Sequence, residues 1–516
     1  MIPFIALVGF MGTGKTSVGK ALAERLGWPY RDSDEWIEKK EGSIPAIFEN
    51  QGEAAFRDFE TEALRTLTNE RCVLATGGGA VLREENRALL ERGLVVVLDA
   101  SLATIEERVN ASDRPLRGRL KELYEARQPL YRAFPFHFEA EKATPEEIAR
   151  QIQAWISGKH ESLTVPLGEQ SYPIELEAGG LLRLGEACRE WAPSGRCLLV
   201  SDENVEDLYG AIAAESLRAS GYELINAVIP PGEGSKTLPM AESLYRSMIE
   251  NGLDRSSPVI ALGGGVVGDL AGFVASTYQR GVPFIQVPTT LLAQIDSSVG
   301  GKVAVNHPLA KNMIGTFYQP KGVSIDPLVL RTLPEREWRG GLAELVKYGV
   351  ILDAELFETL EQNLLALQQR STAFLMPLIK RACALKAEVV SQDEKEKGLR
   401  AILNFGHTIG HAIEAVAGFG TFTHGEAVAI GMVAAGKLAV KRGEFEPKEH
   451  ARLLSLLHSL GLPTTVPALP IEALLQAMAV DKKNAGGAIR MVLPQSIGTV
   501  GLPVPVPPEE LVSLLS

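Results

Sequence analysis

Eight histidines and four cysteines are all that 516 residues offer for soft metal chemistry. The cysteines, Cys72, Cys188, Cys197 and Cys383, follow neither a metal spacing nor a disulfide framework. Positive charge is in deficit, 52 Lys and Arg against 64 Asp and Glu, for a net charge of -12. That excess of acid argues against a general nucleic-acid surface and leaves small molecules as the expected partners. No run of the roughly 18 residues that a membrane span requires is both charge-free and apolar throughout. The segment from Ile2 already reads as a core strand, with no room for a removable signal, so the expected location is the cytoplasm.

What is present is α/β material on the scale of three to four domains: 45% hydrophobic residues, 50 glycines and 30 prolines. The apolar run IPFIALVG leads into Gly9-Phe-Met-Gly12-Thr-Gly14-Lys15-Thr16-Ser17 and then a helical pattern. Strand, glycine loop and helix in that order form a complete phosphate-loop motif. Backbone N-H groups encircle a phosphate, Lys15 reaches the outer phosphates, and the Thr16 hydroxyl ligates Mg²⁺. After the next strand, Asp32 and Asp34 are expected on one side of an extended segment, one to orient Mg²⁺ and one to bind an acceptor hydroxyl. Arg57 and Glu60 fall one helical turn apart. The triplet Gly77, Gly78 and Gly79 ends another strand and admits a substrate close to the backbone. Arg114 and Arg117 lie in a basic stretch suited to a lid over phosphate, and Arg127 to a carboxylate fork.

In order and spacing these residues resemble shikimate kinase. The resemblance implies ATP with Mg²⁺ as cofactor and phosphorylation of the shikimate 3-hydroxyl. It places Asp34, Arg57, Gly77 to Gly79 and Arg127 on shikimate, Asp32 near Mg²⁺, and Arg114 at the transferring phosphate.

A polar run between Gly158 and Thr164 marks the expected seam. Beyond it, VIALGGGVVGDL fits G-x-G-x-x-G at Gly263, Gly265 and Gly268 between a strand and a helix, pointing to a dinucleotide. Asp296, Lys302, Lys311 and Asn312 follow among strands and glycine turns, and the reading becomes mainly helical from Leu333. Three of the eight histidines crowd into Asn404 to Glu426: His407 and His411 one turn apart, and His424 after a glycine-broken turn. Composition alone selects those three as ligands of a metal that keeps an open position. Glu344, nearly one turn from Lys347, offers a hard oxygen ligand.

From about Leu163 to the end the chain resembles 3-dehydroquinate synthase, through SDENV, PPGEGSKT, LGGGVVGDLAGF, VPTTLLAQIDSSVGGK, KNMIG, GLAELVKYG, NFGHTIGHAIE and HGEAVAIGM. The resemblance implies Glu344, His407 and His424 as ligands of one Zn²⁺ or Co²⁺, and places His411 in the substrate site. It assigns NAD⁺ to Asn204, Glu233, Lys236, Gly264, Gly265, Val266, Val267, Asp269, Thr289, Thr290, Lys311 and Thr332. Substrate falls to Asp296, Lys302, Asn312, Lys347, Lys386, Arg400, Asn404 and Lys482. It further implies a homodimer in which Arg280 reaches the neighbouring subunit. Val303 and Ala310 depart from the common pattern of threonine and glycine. The expected architecture is a phosphate-loop kinase parallel-sheet sandwich over residues 1–160, a dinucleotide-binding α/β domain over 161–332, and a mainly helical metal- and substrate-binding domain over 333–516. The competing readings are a small-molecule kinase fused to a metal-dependent polyol dehydrogenase, or to another sugar-phosphate cyclase.

Overall fold

The computed structural model describes residues 2–515 apart from 111–119, 142, 157–159, 371, 397, 419 and 482–488. The expectations for Arg114, Arg117 and Lys482 therefore lie outside the described residues. The chain divides into two compact units. The first comprises Met1–Lys159, Ala178–Arg189 and Asn204–Tyr222; the second comprises His160–Glu177, Glu190–Glu203 and Glu223–Ser516.

The first unit is built on five parallel strands: β1 (Ile5–Val8), β2 (Tyr30–Asp32), β3 (Val73–Ala75), β4 (Leu94–Asp99) and β5 (His137–Glu139), in the order β2-β3-β1-β4-β5. β1 is apolar without alternation because both of its faces are covered, and all four residues are buried. It lies between β3 and β4, so the chain leaves it where the strand order reverses, the usual ligand position of an open parallel sheet. One expectation is corrected here. Asp34 does not continue an extended segment but lies in the first turn of helix Ser33–Glu41. Asp32 ends β2 and caps that helix, its Oδ1 accepting from the Asp34 amide at 3.0 Å, which turns the chain before a second extended residue can form.

The second unit holds a seven-stranded sheet: β6 (Glu161–Val165), β7 (Tyr172–Leu176), β8 (Arg196–Asp202), β9 (Glu223–Ile229), β10 (Val259–Gly263), β11 (Phe284–Pro288) and β14 (Gly322–Ile325). Its order is β6-β7-β14-β11-β10-β8-β9, parallel except for the β6–β7 hairpin. The strands β12 (Lys302–His307) and β13 (Ala310–Phe317) form a separate antiparallel ribbon. Val303 of β12 is buried against Gly272 and Phe284, so an apolar branch suits the position. Past Leu333 helices dominate, among them Glu335–Ile351, Thr372–Gln392, His407–Ala417 and His424–Lys441. The last begins with a reciprocal cap: Thr423 Oγ1 accepts from the Glu426 amide at 3.3 Å, and the Glu426 carboxylate accepts from the Thr423 amide at 2.8 Å.

All four cysteines are buried, and among the described residues none forms a disulfide. Among the described residues no helix is long and apolar enough to cross a membrane.

Candidate active sites

In the first unit the loop after β1 turns through left-handed glycines, Gly12 at φ 82° and Gly14 at φ 91°, a conformation that side-chain-bearing residues rarely adopt. Gly14 directly precedes helix Lys15–Leu26, so free amides of the first helical turn face the loop. Lys15 is nearly buried and donates to the Gly9 and Phe10 carbonyls at 2.7 and 2.9 Å. The Thr16 hydroxyl reaches Asp32 Oδ2 at 3.3 Å, while Ser17 is exposed one residue on. This donor set fits a Mg²⁺-nucleotide: amides and an ammonium for phosphate, a hydroxyl and a carboxylate for the cation.

A second cluster surrounds the triple glycine. Arg57 pairs with Glu60 at 2.9 Å, and a Cβ on Gly79 would fall 2.2 Å from the Arg57 guanidinium. A Cβ on Gly77 would lie 2.6 Å from Asp34 Oδ1 and 2.9 Å from Glu60 Oε1. Arg127, buried on helix Leu120–Arg132, donates to the Gly78 carbonyl at 3.0 Å, and the Tyr131 hydroxyl shares that acceptor at 2.5 Å. Asp34, Arg57, Gly77, Gly78, Gly79 and Arg127 thus converge from four separate stretches of chain. Burial, opposed by Arg57, pushes the Glu60 carboxyl up to about 7.

In the second unit β10 ends at Gly263, and helix Gly265–Thr277 starts at once behind Gly264. Val266 and Val267 form its first turn, with Val267 buried. A Cβ on Gly264 would sit 3.0 Å from Thr290 Cγ2, and one on Gly268 would lie 2.9 Å from Gln286 Oε1, so glycine keeps the backbone open to a ligand and the helix close to the sheet. Thr289, at the end of β11, is buried with its Oγ1 lacking a hydrogen-bond partner among the described residues. That orphaned hydroxyl beside the glycine turn fits a dinucleotide. Lys236 bonds Asp269 at 2.5 Å and also Asn312, and Asn306 donates to Glu233 at 2.7 Å. Thr332 ends the turn Pro327–Arg331, whereas Asn204, in the short helical turn after β8, is counted with the first unit.

The metal candidates are brought together by helix crossings that only glycine permits. A Cβ on Gly425 would overlap the Gly340 carbonyl at 2.1 Å, and one on Gly431 would overlap the Gly406 carbonyl at 1.9 Å. Those contacts press helix His424–Lys441 against helix Glu335–Ile351, which carries Glu344, and against the start of helix His407–Ala417. Glu344 is completely buried, and its Oε1 lies 3.6 Å from His407 Nε2 and 3.7 Å from His424 Nε2. Ligand atoms about 2.1 Å from a tetrahedral ion stand roughly 3.4 Å apart, so this spacing fits one. Oε1 has no hydrogen-bond partner among the described residues, while Lys347 pairs with the other oxygen.

The far nitrogens of both rings are already committed. His407 Nδ1 donates to the Phe405 carbonyl at 3.0 Å and His424 Nδ1 to Glu414 at 3.1 Å, the arrangement that aims Nε2 at a cation. Burial, the Lys347 ammonium and the neighbouring histidines hold His407 well below its usual range, so it is neutral and its Nε2 lone pair is free to coordinate. His411 joins the same cluster: one nitrogen from each of His407, His411 and His424 lies within 4.8 Å of the others. Its ring centre stands 5.4 Å from that of His407 and 5.7 Å from that of His424.

Around this cluster Asp296, in a π-helical turn, contacts Lys386 at 2.5 Å, Lys347 at 4.0 Å and the Tyr348 hydroxyl at 2.7 Å. Burial alone would raise Asp296, but the two ammonium groups outweigh it and hold the carboxyl well below the usual range. Lys302 pairs with Glu396, which also accepts from Asn404 at 2.9 Å. Arg400 is buried, donating to the Glu394 and Gly300 carbonyls at 2.6 and 3.2 Å, and its Nε has no partner among the described residues. Asn312, Glu396 and Arg280 have left-handed backbones at φ 55°, 55° and 68°, strain that tends to gather at binding sites. Arg280 is exposed. The roles of Tyr348, Glu396 and Glu414 are not evident from the sequence. Glu396 lies between two cationic residues and Glu414 falls at helical spacing from His407 and His411, the only hints available.

The family profiles described as 3-dehydroquinate synthase N-terminal and C-terminal match residues 226–340 and 341–484, and the profile described as shikimate kinase matches residues 11–157. A 3-dehydroquinate synthase of Desulforamulus reducens is 50% identical over 356 residues, covering 69% of this chain and 99% of the relative. A solved 2-epi-5-epi-valiolone synthase from Streptomyces hygroscopicus, with NAD⁺ and Zn²⁺ bound, is 33% identical, covers 67% of this chain and 95% of its own, and superposes with a TM-score of 0.62. A 2-deoxy-scyllo-inosose synthase complexed with carbaglucose-6-phosphate, NAD⁺ and Co²⁺ is 28% identical, covers 69% and 99%, and has a TM-score of 0.64. The chain is therefore a fusion of an N-terminal shikimate-kinase-like domain with a C-terminal region that belongs to the 3-dehydroquinate synthase family.

Proposed function

We propose that residues 1–160 phosphorylate the 3-hydroxyl of shikimate from ATP. Residues 161–332 and 333–516 together convert 3-deoxy-D-arabino-heptulosonate 7-phosphate to 3-dehydroquinate and phosphate. The observation that carries the second activity is the buried Glu344 Oε1, orphaned between the Nε2 atoms of His407 and His424, with Lys347 on its other oxygen and linked through Asp296 to Lys386. Such a site takes one Zn²⁺ or Co²⁺, and the synthases with NAD⁺ and these metals support that reading. Identity of 50% to a dehydroquinate synthase against 33% to a valiolone synthase favours the heptulosonate as substrate.

In the kinase site the loop amides and Lys15 would hold the phosphates, and Thr16 with Asp32 would hold Mg²⁺. Asp34, Arg57, Arg127 and the glycine turn hold the acceptor, the guanidinium groups taking its carboxylate. Arg114 is assigned to the transferring phosphate by resemblance alone.

In the synthase site NAD⁺, when bound, would supply a reversible hydride acceptor for the C5 carbon, and a metal held by Glu344, His407 and His424 would lower the pKa of the adjoining hydroxyl. The glycine turn, Asp269, Thr289, Thr290, Glu233, Lys236 and Lys311, with Asn204 and Thr332, hold the dinucleotide. Lys302, Asn312, Lys386, Arg400 and Asn404 hold the phosphate and carboxylate of the substrate, aided by Lys482. His411 moves a proton at the substrate, and Asp296 keeps Lys347 and Lys386 charged in a buried setting. Phosphate leaves next to the transient C5 carbonyl, and ring opening followed by intramolecular aldol closure gives the carbocycle with no net oxidation. A homodimer through the synthase region, with Arg280 reaching the partner subunit's phosphate site, completes the reading, and the cytoplasm is its expected location.

The test gives purified protein each substrate in turn. Phosphate release from the heptulosonate without NADH accumulation, and shikimate-dependent ATP consumption, are expected. Steady NADH formation from a simple polyol with no phosphate release would overturn the synthase assignment.

A further inference from the structure

Two clusters in the second unit are joined by a corner of β13. On one side Lys236 ties Asp269, on the helix that follows the glycine turn, to Asn312. On the other, the adjacent Lys311 reaches Glu414 Oε1 at 3.5 Å, and the second oxygen of Glu414 accepts from His424 Nδ1 at 3.1 Å. Asn312, at φ 55°, holds a left-handed backbone at the join. Glu414 is only 14% exposed, so its two contacts are not solvated surface pairs. One carboxylate is thereby shared between a dinucleotide-side ammonium and the outer nitrogen of a metal-side imidazole.

We propose that the Lys311–Glu414–His424 chain couples occupancy of the dinucleotide site to occupancy of the divalent-metal site, with Glu414 as the positioning residue common to both. The proposal rests on the reading above that Lys311 faces NAD⁺ and His424 faces the metal. The physical argument is direct. A cation on His424 Nε2 makes the Nδ1 proton a stronger donor, which fixes the Glu414 carboxylate. Lys311 is then held by a fixed partner, and NAD⁺ meets an ammonium that needs less ordering. Binding of each ligand thereby favours the other, and the effect is reciprocal.

The experiment titrates NAD⁺ into the full chain by calorimetry, metal-free after chelation and with Zn²⁺ in excess, for wild type, Glu414→Gln and Lys311→Met. In wild type, Zn²⁺ is expected to tighten NAD⁺ by about 5-fold or more, the usual range of a coupling between sites. Glu414→Gln should bring that ratio near unity and weaken Zn²⁺ itself by roughly 10- to 100-fold. Lys311→Met should also abolish the ratio while leaving Zn²⁺ affinity unchanged in the absence of NAD⁺. With Co²⁺ in place of Zn²⁺, NAD⁺ should shift the visible absorption of wild type and not of either variant, a readout independent of turnover. A wild-type ratio near unity, or a Glu414→Gln chain that folds, loads metal and keeps the wild-type ratio, overturns the coupling. If Lys311→Met binds NAD⁺ as wild type does in both metal states, the placement of Lys311 on the dinucleotide is wrong, and the coupling falls with it. Failure of wild type to bind NAD⁺ at all sinks the function reading itself.

Discussion

The Tyr30 hydroxyl donates to Asp32 Oδ2 at 2.8 Å, and the Thr16 hydroxyl reaches the same oxygen at 3.3 Å. Because Oδ1 is spent on capping helix Ser33–Glu41, both oxygens of Asp32 are held, and the carboxylate has one orientation. Burial, then the charge of Asp32, raises the Tyr30 phenol well above its ordinary value, so it stays a donor throughout the working pH range. Tyr30→Phe removes that donor and little volume. The Mg²⁺ concentration giving half-maximal kinase rate should rise by ~3- to 10-fold, the worth of one hydrogen bond, with the shikimate KM unchanged. A superimposable Mg²⁺ curve would show that Asp32 is oriented without Tyr30.

Lys15 supplies a test of independence. Its ammonium rests on the Gly9 and Phe10 carbonyls, where an incoming phosphate can recruit it. Lys15→Ala should cut ATP consumption by roughly 10²- to 10³-fold, the usual effect of losing one charge-stabilising donor. Phosphate release from the heptulosonate should be unaffected. Equal loss of both reactions would mean that the halves do not work separately.

Glu60 makes stability depend on pH. It is completely buried, and burial outweighs the Arg57 pair to push its carboxyl up from 4.5 to about 7. A raised folded value means that the folded state binds the proton more tightly. The contribution is therefore fully present below about 4.5 and is lost as pH rises through about 7. A shift of that size is on the order of 3 kcal/mol. Glu60→Gln is neutral throughout, so the difference in Tm between variant and wild type should grow in favour of the variant from pH 5 to pH 8. Parallel Tm profiles would show that Arg57 keeps Glu60 ionised across the whole range.

Local signals carried much of this in the sequence. The strand, glycine loop and helix at Lys15, the triple glycine, and the Gly263 to Gly268 turn are contiguous motifs whose geometry is dictated over a few residues. The pattern alone reads Asp34 as extended, because it does not weigh strand continuation against the helix cap in which Asp32 Oδ1 accepts from the Asp34 amide. Composition found the histidine cluster but could not rank its members. That ranking depends on where Glu344 arrives from another helix and on what holds each outer nitrogen. Tyr348 reaches Asp296 across 52 residues, and Glu414 reaches Lys311 across 103, contacts that the helical spacing of Glu414 from His407 and His411 does not report.

The glycine crossings bring the proposed metal ligands together, and that can be tested directly. Gly425→Ala would place a methyl 2.1 Å from the Gly340 carbonyl, backbone that cannot swing aside. The helices must part, at a cost of about 1–3 kcal/mol, and His424 moves away from Glu344. Zinc per chain and phosphate release should both fall, with ATP consumption retained. Full zinc content in this variant would mean that the crossing does not set the ligand geometry.

Glu344 and His411 are the two candidates for the third ligand of the proposed metal, and two substitutions separate them. Glu344→Gln preserves shape but removes the charge that faces His407 Nε2 and His424 Nε2, and it leaves Lys347 without its closest counter-ion. Metal affinity should fall by at least the roughly 10- to 100-fold seen when even an outer partner of a metal site is lost. The activity loss should be partly rescued by excess Zn²⁺. His411→Ala removes a ring whose nitrogen is also within 4.8 Å of the other two histidines, yet should leave the metal in place. Its expected phenotype is a kcat deficit on the heptulosonate with unchanged zinc stoichiometry, because a proton-transfer group is lost and a ligand is not. The opposite pattern, full zinc in Glu344→Gln and none in His411→Ala, would assign the site to the three histidines and move Glu344 to the role of holding Lys347 charged.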